Sequence, residues 1–370
     1  MIFLDFVCYT FAVVVFFQLV LYLFFFGRFA FFKQKKETTI NIPVSVIICA
    51  KNEAENLKNF LPSIIGQDYP NFEIVLINDA SCDDTLEVME AFASKNSNIK
   101  IVDVKNNEAF WGNKKYALTL GIKASKNEHL LFTDADCKPV SKHWITEMSS
   151  LFNNKKSVVL GYGKYTKTNK SFLNKLIRFE TVITAIQYFT FAKFDMPYMG
   201  VGRNLAYTKD TFFKANGFIN HIKVRSGDDD LFVNQVATKN NTAVCISENS
   251  FTESLPKNSF SDWIKQKRRH ISTAKHYKQK HKVLLALLYI FQFLFWGLAF
   301  VLLITLHHWV IVLALLFIKI IIQYIIIGIS AKKLGEKDLL FLIPFLEVFL
   351  IATHLTIFIK NLIAKPDYWK

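Results

Sequence analysis

Long apolar runs at both ends of the chain constrain its fold more than any other feature. Residues 6–26 are largely apolar, with Gln18 the main interruption, and three further runs cover 283–306, 309–330 and 339–359. Each run is long enough, as a helix, to cross a hydrocarbon layer about 30 Å thick. Residues 43–281 have the mixed composition of a globular domain. The sequence therefore predicts membrane-embedded ends around a soluble centre.

The charges beside the apolar runs predict how the chain is oriented. Basic residues lie at 28–36 and 265–282, on both flanks of the soluble centre, which places that centre in the cytoplasm of a multi-pass inner or plasma membrane protein. Positive charge follows the first run, unlike a cleaved signal peptide, so this run is predicted to be an uncleaved anchor. If all four runs cross, the tail with Lys360, Lys365 and Lys370 lies outside. Either the charge rule fails there or the last segment is re-entrant.

The predicted organisation has four parts. Residues 1–36 are predicted to form an anchor with a basic flank, 37–260 a cytoplasmic globular domain, 261–282 a basic interfacial helix and 283–370 transmembrane helices. Lys319 and Glu347 interrupt the last part. They either line a passage for an acceptor or are a snorkelling lysine and a glutamate near a helix end.

The charge and cysteine content indicate which classes of molecule the chain can bind. The chain carries 45 basic and 30 acidic residues, a formal charge of +15, but the basic residues gather beside apolar spans and no nucleic-acid motif is present. Membrane lipids and phosphorylated substrates are predicted partners, and nucleic acid is not. The five cysteines are scattered without paired metal-ligand spacing, so neither disulfides nor structural zinc is predicted.

Strand and helix patterns alternate through the soluble centre. Apolar β-branched runs at 44–50, 72–77, 99–104 and 129–133 are separated by helical patterns at 53–67, 83–95 and 114–123. This alternation predicts an α/β fold with a mostly parallel, nucleotide-binding type of sheet, in which ligands bind beyond the carboxyl ends of the strands. Polar residues follow those ends, including Glu53, Asp79 and Asp134.

Asp134 and Asp136 form a pair of carboxylates at one strand end. Oxygen ligands in this spacing suit a hard divalent cation that also contacts a diphosphate. A D-x-D pair alone is a weak signal, because it is common by chance. Turn and helix-capping chemistry accounts for Ser81, Asp83 and Asp84 equally well.

A collinear series of motifs resembles family-2 glycosyltransferases of the membrane-bound branch that contains polysaccharide synthases and lipid glycosyltransferases. The series covers about 230 residues and reads VSVIICAKNEAENL (44–57), EIVLINDASCDDT (73–85), GNKKYALTLGI (112–122), LLFTDADCKP (130–139), GVGRNLAY (200–207), SGDDDLF (226–232) and QKRRH (266–270). The resemblance implies a GT-A fold, a Rossmann-like nucleotide-diphospho-sugar transferase domain, here with transmembrane helices. It also implies a UDP- or GDP-sugar donor and inversion at the anomeric carbon.

The resemblance also assigns donor and metal residues. Asp136 would ligate Mg²⁺ or Mn²⁺ together with Asp134, since all-oxygen coordination does not favour softer ions. Asp134 would also hold the ribose or sugar side of the donor. The remaining donor-binding residues are predicted to be Glu53, Asp79, Lys114, Gly202, Arg203 and Asn204. A structural turn is the alternative for the glycine-containing segment 200–204.

In the family, a carboxylate of the E-D-x-D-L motif is the catalytic base, and the resemblance implies the same here. Aligning on Leu231 makes Asp228 the base and leaves Asp229 as the fallback, while Gly227 stands where the family usually has Glu. An acidic helix start is the alternative. Gln266 and Arg269 match the family's Q-x-x-R and would neutralise the leaving nucleoside diphosphate. His270 replaces the Trp that follows this motif.

Three further expectations concern the membrane surface. Lys267, Arg268 and Lys275 are predicted to contact lipid headgroups, with Trp263 at the apolar edge of their helix. Residues 179–194 are predicted to lie on the membrane near the acceptor entrance.

These patterns together predict a metal-dependent glycosyltransferase of the hexosyltransferase type. Its acceptor would be a lipid-linked or membrane-proximal glycan in the synthesis of cell-envelope polysaccharide or glycolipid. A processive polysaccharide synthase that secretes its polymer is the first alternative, and a non-catalytic membrane scaffold or transporter is the second. A nucleotidyltransferase is disfavoured because residues 51–54 are not a glycine-rich loop.

Overall fold

The computed structural model describes residues 2–34, 41–105, 114–224 and 226–363. The predicted domain boundary at 36/37, part of the first basic flank and the start of the 112–122 motif lie outside these ranges.

A seven-stranded mixed sheet forms the centre of the soluble domain, with a three-stranded sheet beside it. The strands are β1 (Val44–Ala50), β2 (Phe72–Asp79), β3 (Ile99–Val104), β4 (His129–Asp134), β5 (Cys137–Pro139), β6 (Val158–Leu160), β7 (Gly163–Tyr165), β8 (Leu205–Thr208), β9 (Thr242–Val244) and β10 (Thr252–Ser254). The large sheet has the order β3-β2-β1-β4-β8-β6-β9, and β5-β10-β7 form the small one. The four predicted strands, β1 to β4, are parallel, whereas β8 runs antiparallel to β4 and β6.

Helices cover both faces of the large sheet. Ile48 and Leu76 pack on one face with α3 (Ala54–Ile65), α4 (Thr85–Ala93) and α6 (Trp144–Ser149). Ile47 and Ile77 pack on the other face with α5 (Lys114–Ala124) and α7 (Phe172–Lys193). The β-branched strand residues alternate between these two cores, as period-two side-chain geometry requires. Two short helices, α8 (Lys209–Lys214) and α9 (Asp230–Val236), and the longer α10 (Phe260–Thr273) complete the soluble domain.

Within the described ranges, four segments are long and apolar enough to cross a membrane. The first is a continuous helix made of α1 (Ile2–Val20), a π-helical turn (Leu21–Phe26) and α2 (Gly27–Ala30). The others are α11 (Gln279–Ile304), α12 (Trp309–Lys333) and a 3₁₀ turn (Lys337–Leu342) that leads into α13 (Ile343–Ile363). Each predicted apolar run falls on one of these segments.

The last segment begins and ends beside the soluble domain. Just before α13, Asp338 accepts hydrogen bonds from Arg178 of α7 at 2.6 and 2.8 Å. Near the other end of α13, Asn361 accepts one from Arg268 of α10 at 2.9 Å. Between these points, Glu347 reaches Lys319, which lies about 21 Å along α12 from Lys333. Both ends of this segment therefore contact the soluble domain, and α13 between them is one continuous helix.

Lys319 and Glu347 lie inside the bundle, contrary to both interpretations of them. They are 0% and 1% exposed, and the Lys319 ammonium lies 3.2 Å from the Glu347 carboxylate. Gln323, Gln292 and Trp296 donate further hydrogen bonds to this carboxylate at 2.6 to 3.0 Å. A buried ion pair needs such partners because bulk solvent does not reach it. The pair fills the space between the helices and does not line a passage.

The expectations for the membrane surface also need correction. Most of α7 is buried in the core, including Phe179 and Phe189. Lys267 forms a mostly buried ion pair with Glu180 of α7. Trp263 is 1% exposed.

Arg268 likewise donates a hydrogen bond to Asn361 of α13. An amphipathic helix has the same sequence pattern whether its apolar face meets lipid or protein. The sequence could not separate these two cases.

Candidate active site

The carboxyl ends of β1, β2 and β4 bring predicted donor residues to one edge of the sheet. Cys49 of β1 pairs in register with Asp134 of β4, and Ala50 pairs with Asn78, one residue before Asp79. Asp79 is 8% exposed, and burial raises its pKa although nearby lysines oppose the effect. Glu53 immediately precedes α3 at the same edge. The parallel pairing therefore assembles the acidic edge that the sequence predicts.

The two loops at this edge are held in an uncommon backbone conformation. Asn52 and Ala80 have φ of 55° and 49°, in the left-handed region that non-glycine residues rarely occupy. The Asn52 side chain accepts a hydrogen bond from the Cys82 amide at 2.8 Å, and the Asn52 amide donates to Ser81. Strain that neighbouring bonds maintain in this way is typical of binding loops.

Lys114 joins the strand edge to the acidic loop at 227–230. Its ammonium lies 2.9 Å from Asp134 and 3.1 Å from Asp228, two carboxylates almost a hundred residues apart in sequence. All three side chains are largely buried, with exposures of 18%, 33% and 13% respectively. One ammonium therefore offsets the charge of two carboxylates.

The two candidate bases differ in their electrostatic surroundings. Burial raises the pKa of Asp228, but the adjacent Lys114 ammonium outweighs burial and leaves this pKa below its usual value. Burial and the charges of Asp228 and Asp230 raise the pKa of Asp229 to about 7. Asp229 accepts hydrogen bonds from the amides of Gly202 and Asp230, both at 2.7 Å. Asp228 is therefore ionised at neutral pH, whereas Asp229 is partly protonated and accepts hydrogen bonds from two backbone amides.

The chain has Gly227 where the family usually has Glu, and its backbone conformation requires glycine there. Its φ is +92°, and a Cβ there would come within 2.6 Å of the Leu231 side chain. Only glycine adopts this conformation without strain. Glycine at 227 allows the chain to turn so that the Asp228 carboxylate lies beside the Lys114 ammonium.

Lys115 supports the segment that leads into the acidic loop. It is 1% exposed, and its ammonium donates to the carbonyl oxygens of His221, Val224 and Ser226 at 2.7 to 2.9 Å. The sequence analysis did not identify this residue. A signal was present, since Lys115, Leu118 and Ile122 share one helical face that is otherwise apolar.

The C-terminal end of α10 is tied to the acidic loop through Asp230. The Thr273 and Tyr277 hydroxyls both donate to the Asp230 carboxylate. Gln266 and Arg269 precede Thr273 by seven and four residues and therefore share its helix face. The hydroxyl contacts thus orient the predicted Q-x-x-R face toward the loop that carries Asp228.

Arg203 and Asn204 lie behind this edge in different surroundings. The Arg203 guanidinium stacks over Tyr165 at 4.3 Å and donates to Ser254 at 2.8 Å. Asn204 is fully buried; its amide donates to the carbonyls of Tyr162 and Ser250 and its oxygen accepts from Trp144. These bonds occupy the Asn204 side chain, so the predicted donor contact is replaced by a role in joining the two sheets.

The residues around Asp134 fit a hard divalent cation. Ligand atoms of Asp134, Asp136 and Cys137 lie within 4.8 Å of one another. Burial raises the pKa of the Cys137 thiol well above its usual value, and burial with the charge of Asp134 raises that of Asp136. A cation would relieve the repulsion between the two carboxylates, and oxygen is the ligand that Mg²⁺ and Mn²⁺ prefer. The protonated thiol is a poor ligand for such ions.

Comparisons with known proteins agree with this geometry. The profile of glycosyl transferase family 2 matches residues 45–213, and that of glycosyl transferase family group 2 matches residues 131–329. A poly-beta-1,6-N-acetyl-D-glucosamine synthase of Staphylococcus epidermidis is 37% identical over 93 residues, which is 25% of this chain and 21% of the synthase. Glycosyltransferase AglE of Haloferax volcanii is 27% identical over 194 residues, or 50% of this chain and 58% of AglE.

A solved structure is similar over nearly the full length. It is the mannosyltransferase PcManGT from Pyrobaculum calidifontis in complex with GDP-Man and Mn²⁺, with a TM-score of 0.60, 18% identity and coverage of 97% of this chain and 99% of that one. At this identity the likeness concerns the fold, which is the predicted GT-A fold with membrane helices. The family-group profile covers more than half of the chain and includes the acidic loop and α10. The chain therefore belongs to glycosyltransferase family 2.

Proposed function

We propose that the chain transfers one sugar, with inversion, from a nucleotide-sugar to an acceptor carried by a membrane lipid. The observation that carries this proposal is the Lys114 contact, which holds Asp228 and the donor-edge residue Asp134 on one ammonium. This contact supports the proposal because it fixes an ionised carboxylate next to the edge to which we assign the donor.

In the proposed reaction, the acceptor hydroxyl oxygen attacks the anomeric carbon of the donor sugar. Asp228 takes the hydroxyl proton as the new glycosidic bond forms, and the bond to the diphosphate oxygen breaks on the opposite side of that carbon. A divalent cation of the Mg²⁺ or Mn²⁺ type, held by Asp134 and Asp136, would supply positive charge to the leaving diphosphate. Gln266 and Arg269 would add donors to the same oxygens.

Lys114 links donor binding to base strength in this scheme. In the structure its ammonium lowers the pKa of Asp228. When a diphosphate also contacts the Lys114 ammonium, the attraction between that ammonium and Asp228 weakens. The Asp228 carboxylate then becomes a stronger base. The base is thus strongest when the donor is present, which limits transfer to water.

The membrane end supports a lipid-linked acceptor over secretion of a polymer. The space between the helices is filled by the buried Lys319–Glu347 cluster. On the outside, α13 runs beside α10, and Phe260 and Phe172 contact Phe349 at ring distances of 6.2 and 5.3 Å. These partly exposed rings form an apolar path from the lipid to the helix that carries Arg269.

Product analysis tests the proposal. Membranes that contain the chain are incubated with a panel of UDP- and GDP-sugars, and lipids and glycans are identified by mass spectrometry. A lipid that carries one added sugar is expected. A long glycan without a lipid anchor would favour the processive synthase instead.

The base is tested separately with Asp228→Asn. Transfer should fall by at least 10²-fold, the lower end of general-base contributions, while metal-dependent donor binding persists. Asp229→Asn is the matched control and should retain more activity. Transfer that survives in Asp228→Asn would show that the base is misassigned.

A further inference from the structure

Three ligand-type side chains meet at the end of the membrane bundle opposite the catalytic domain. Asp5 lies near the start of α1, about 36 Å along the helix from Phe29 at the other end. The Nε2 atoms of His307 and His308, in the turn between α11 and α12, lie 2.9 and 3.3 Å from the same oxygen of Asp5. This cluster has no part in the proposed transfer reaction.

The backbone of the turn makes the two histidines converge. Side chains of consecutive residues normally point apart, in a helix as in a strand. Here Leu306 and His308 both adopt positive φ, 53° and 47°, and the two imidazole rings lie 4.4 Å apart between centroids. The turn therefore presents both Nε2 atoms to one carboxylate.

We propose that Asp5, His307 and His308 form a binding site for a divalent transition-metal ion of the Zn²⁺ class. Tetrahedral zinc with ligands at about 2.0 to 2.2 Å requires ligand atoms roughly 3.3 Å apart. The two measured separations, 2.9 and 3.3 Å, are close to this value, and all three ligand atoms lie within 4.8 Å of one another. Two imidazoles with one carboxylate favour zinc over Mg²⁺, which prefers oxygen ligands.

The surroundings leave room for a fourth ligand. The side chains of Asp5, His307 and His308 are 40%, 15% and 51% exposed. A metal ion can therefore enter from solvent and retain water in its open position. Binding would join the start of α1 to the α11–α12 turn.

Hydrogen bonding and metal binding use the same three side chains in different ways. Without a metal ion, a histidine donates its Nε2–H to the Asp5 carboxylate. With a metal ion bound, the Nε2 atoms offer their lone pairs to the ion. A variant that keeps the hydrogen-bond donor but is a poor metal ligand therefore separates the two.

Zinc titration of the full chain in detergent micelles tests the site. After treatment with a chelator, Zn²⁺ binding is measured by calorimetry, and X-ray absorption identifies the ligands of the bound ion. Because Asp134 and Asp136 can also take a divalent ion, the titration is done in an Asp136→Asn background. We expect a site with two imidazole nitrogens and a zinc-dependent rise in the thermal unfolding temperature.

His307→Asn and His308→Asn separate metal binding from hydrogen bonding. Asparagine still donates to Asp5 but is a poor zinc ligand, so each variant should weaken zinc binding at least tenfold and lose the zinc-dependent stabilisation. His143→Asn, at an exposed position in the soluble domain, should change neither. Equal zinc affinity in the unaltered chain and both variants, or bound zinc without imidazole ligands, would overturn the proposal.

Discussion

At the scale of single residues, the chemistry of the site depends on how three adjacent aspartates are held. Asp228 faces the Lys114 ammonium, Asp229 accepts from two backbone amides, and Asp230 accepts from two hydroxyls. Three carboxylates in a row would repel one another if all were ionised. Each aspartate has different hydrogen-bonding or charged partners. Of the three, Asp228 is the one that is both charged and next to the predicted donor edge.

The pH dependence of transfer distinguishes the two candidate bases. A base must be deprotonated, and the lowered pKa of Asp228 keeps it so throughout the neutral and mildly acidic range. The pKa of Asp229 is about 7, so its deprotonated fraction would fall about tenfold per pH unit below that value. We expect kcat/KM to change little between about pH 8 and pH 6. A loss of about tenfold between pH 8 and pH 6 would instead identify Asp229 as the base.

Lys115 is expected to position the base without contacting substrate. Lys115→Met removes the ammonium that three loop carbonyls accept from. Buried carbonyls left without a donor cost about 1–3 kcal/mol each, so the loop should move and kcat should fall at least tenfold. The KM for the donor should change less, because the strand edge is intact. Lys123→Met, on an exposed position of the same helix, is the control, and an equal effect there would contradict this role.

At the scale of secondary-structure elements, the four parallel strands β1 to β4 were predictable from the sequence, whereas the shorter strands β5 to β10 were not. The apolar β-branched runs predict β1 to β4, and each extends over its predicted run or up to two residues beyond it. The antiparallel β8 was not predicted, because a short strand depends on its neighbours and not on a long apolar run. Asn204 was misassigned for a related reason, since its partners come from segments distant in sequence.

Gly121 shows how closely α5 packs against the sheet. A Cβ at this position would lie 2.1 Å from Ile77 Cδ1. Gly121→Ala should therefore destabilise the soluble domain by about 1–3 kcal/mol, as overpacking typically does, measured by chemical denaturation. Apart from the chain neighbours and the adjacent turns of its own helix backbone, a Cβ at Gly297 in α11 would meet no atom of the described residues within 4 Å, so Gly297→Ala should be nearly neutral.

Combining Gly121→Ala with Ile77→Ala supports or rejects this explanation. The added Cβ would meet both Cδ1 and Cγ1 of Ile77, at 2.1 and 2.6 Å. Alanine lacks both atoms, so the double variant should be more stable than the sum of the two single effects predicts. Additive effects would mean that the cost of Gly121→Ala comes from elsewhere.

At the scale of the whole molecule, polar contacts fix the catalytic domain to the membrane helices. Arg178 of α7 is 2% exposed and bonds both Glu336 and Asp338 in the segment between α12 and α13. Lys167 adds a contact of 2.8 Å to Asp338. Together with the Lys267–Glu180 pair, these bonds hold α13 and α10 in a fixed relation to the acidic loop. The apolar runs predict the helices but not these connections, which join residues more than 80 positions apart.

The path of α13 has a consequence for the sidedness of the molecule. Asp338 and Asn361 both bond residues of the catalytic domain. We therefore predict that the two ends of the last segment lie on one side of the membrane, which would agree with the positive-inside rule for Lys360. Labelling with a membrane-impermeant maleimide tests this arrangement in sealed vesicles of either orientation.

Cys82 is exposed in the catalytic domain and marks its side. Lys360→Cys, tested with Cys82 replaced by Ser, should react in the same vesicles as Cys82 does. Thr305→Cys, in the turn between α11 and α12, should react only in vesicles of the opposite orientation. A crossing α13 would instead make Lys360→Cys react together with Thr305→Cys. Because a crossing would also carry Asn361 away from Arg268, that result would remove the α10–α13 contact on which the proposed lipid path depends.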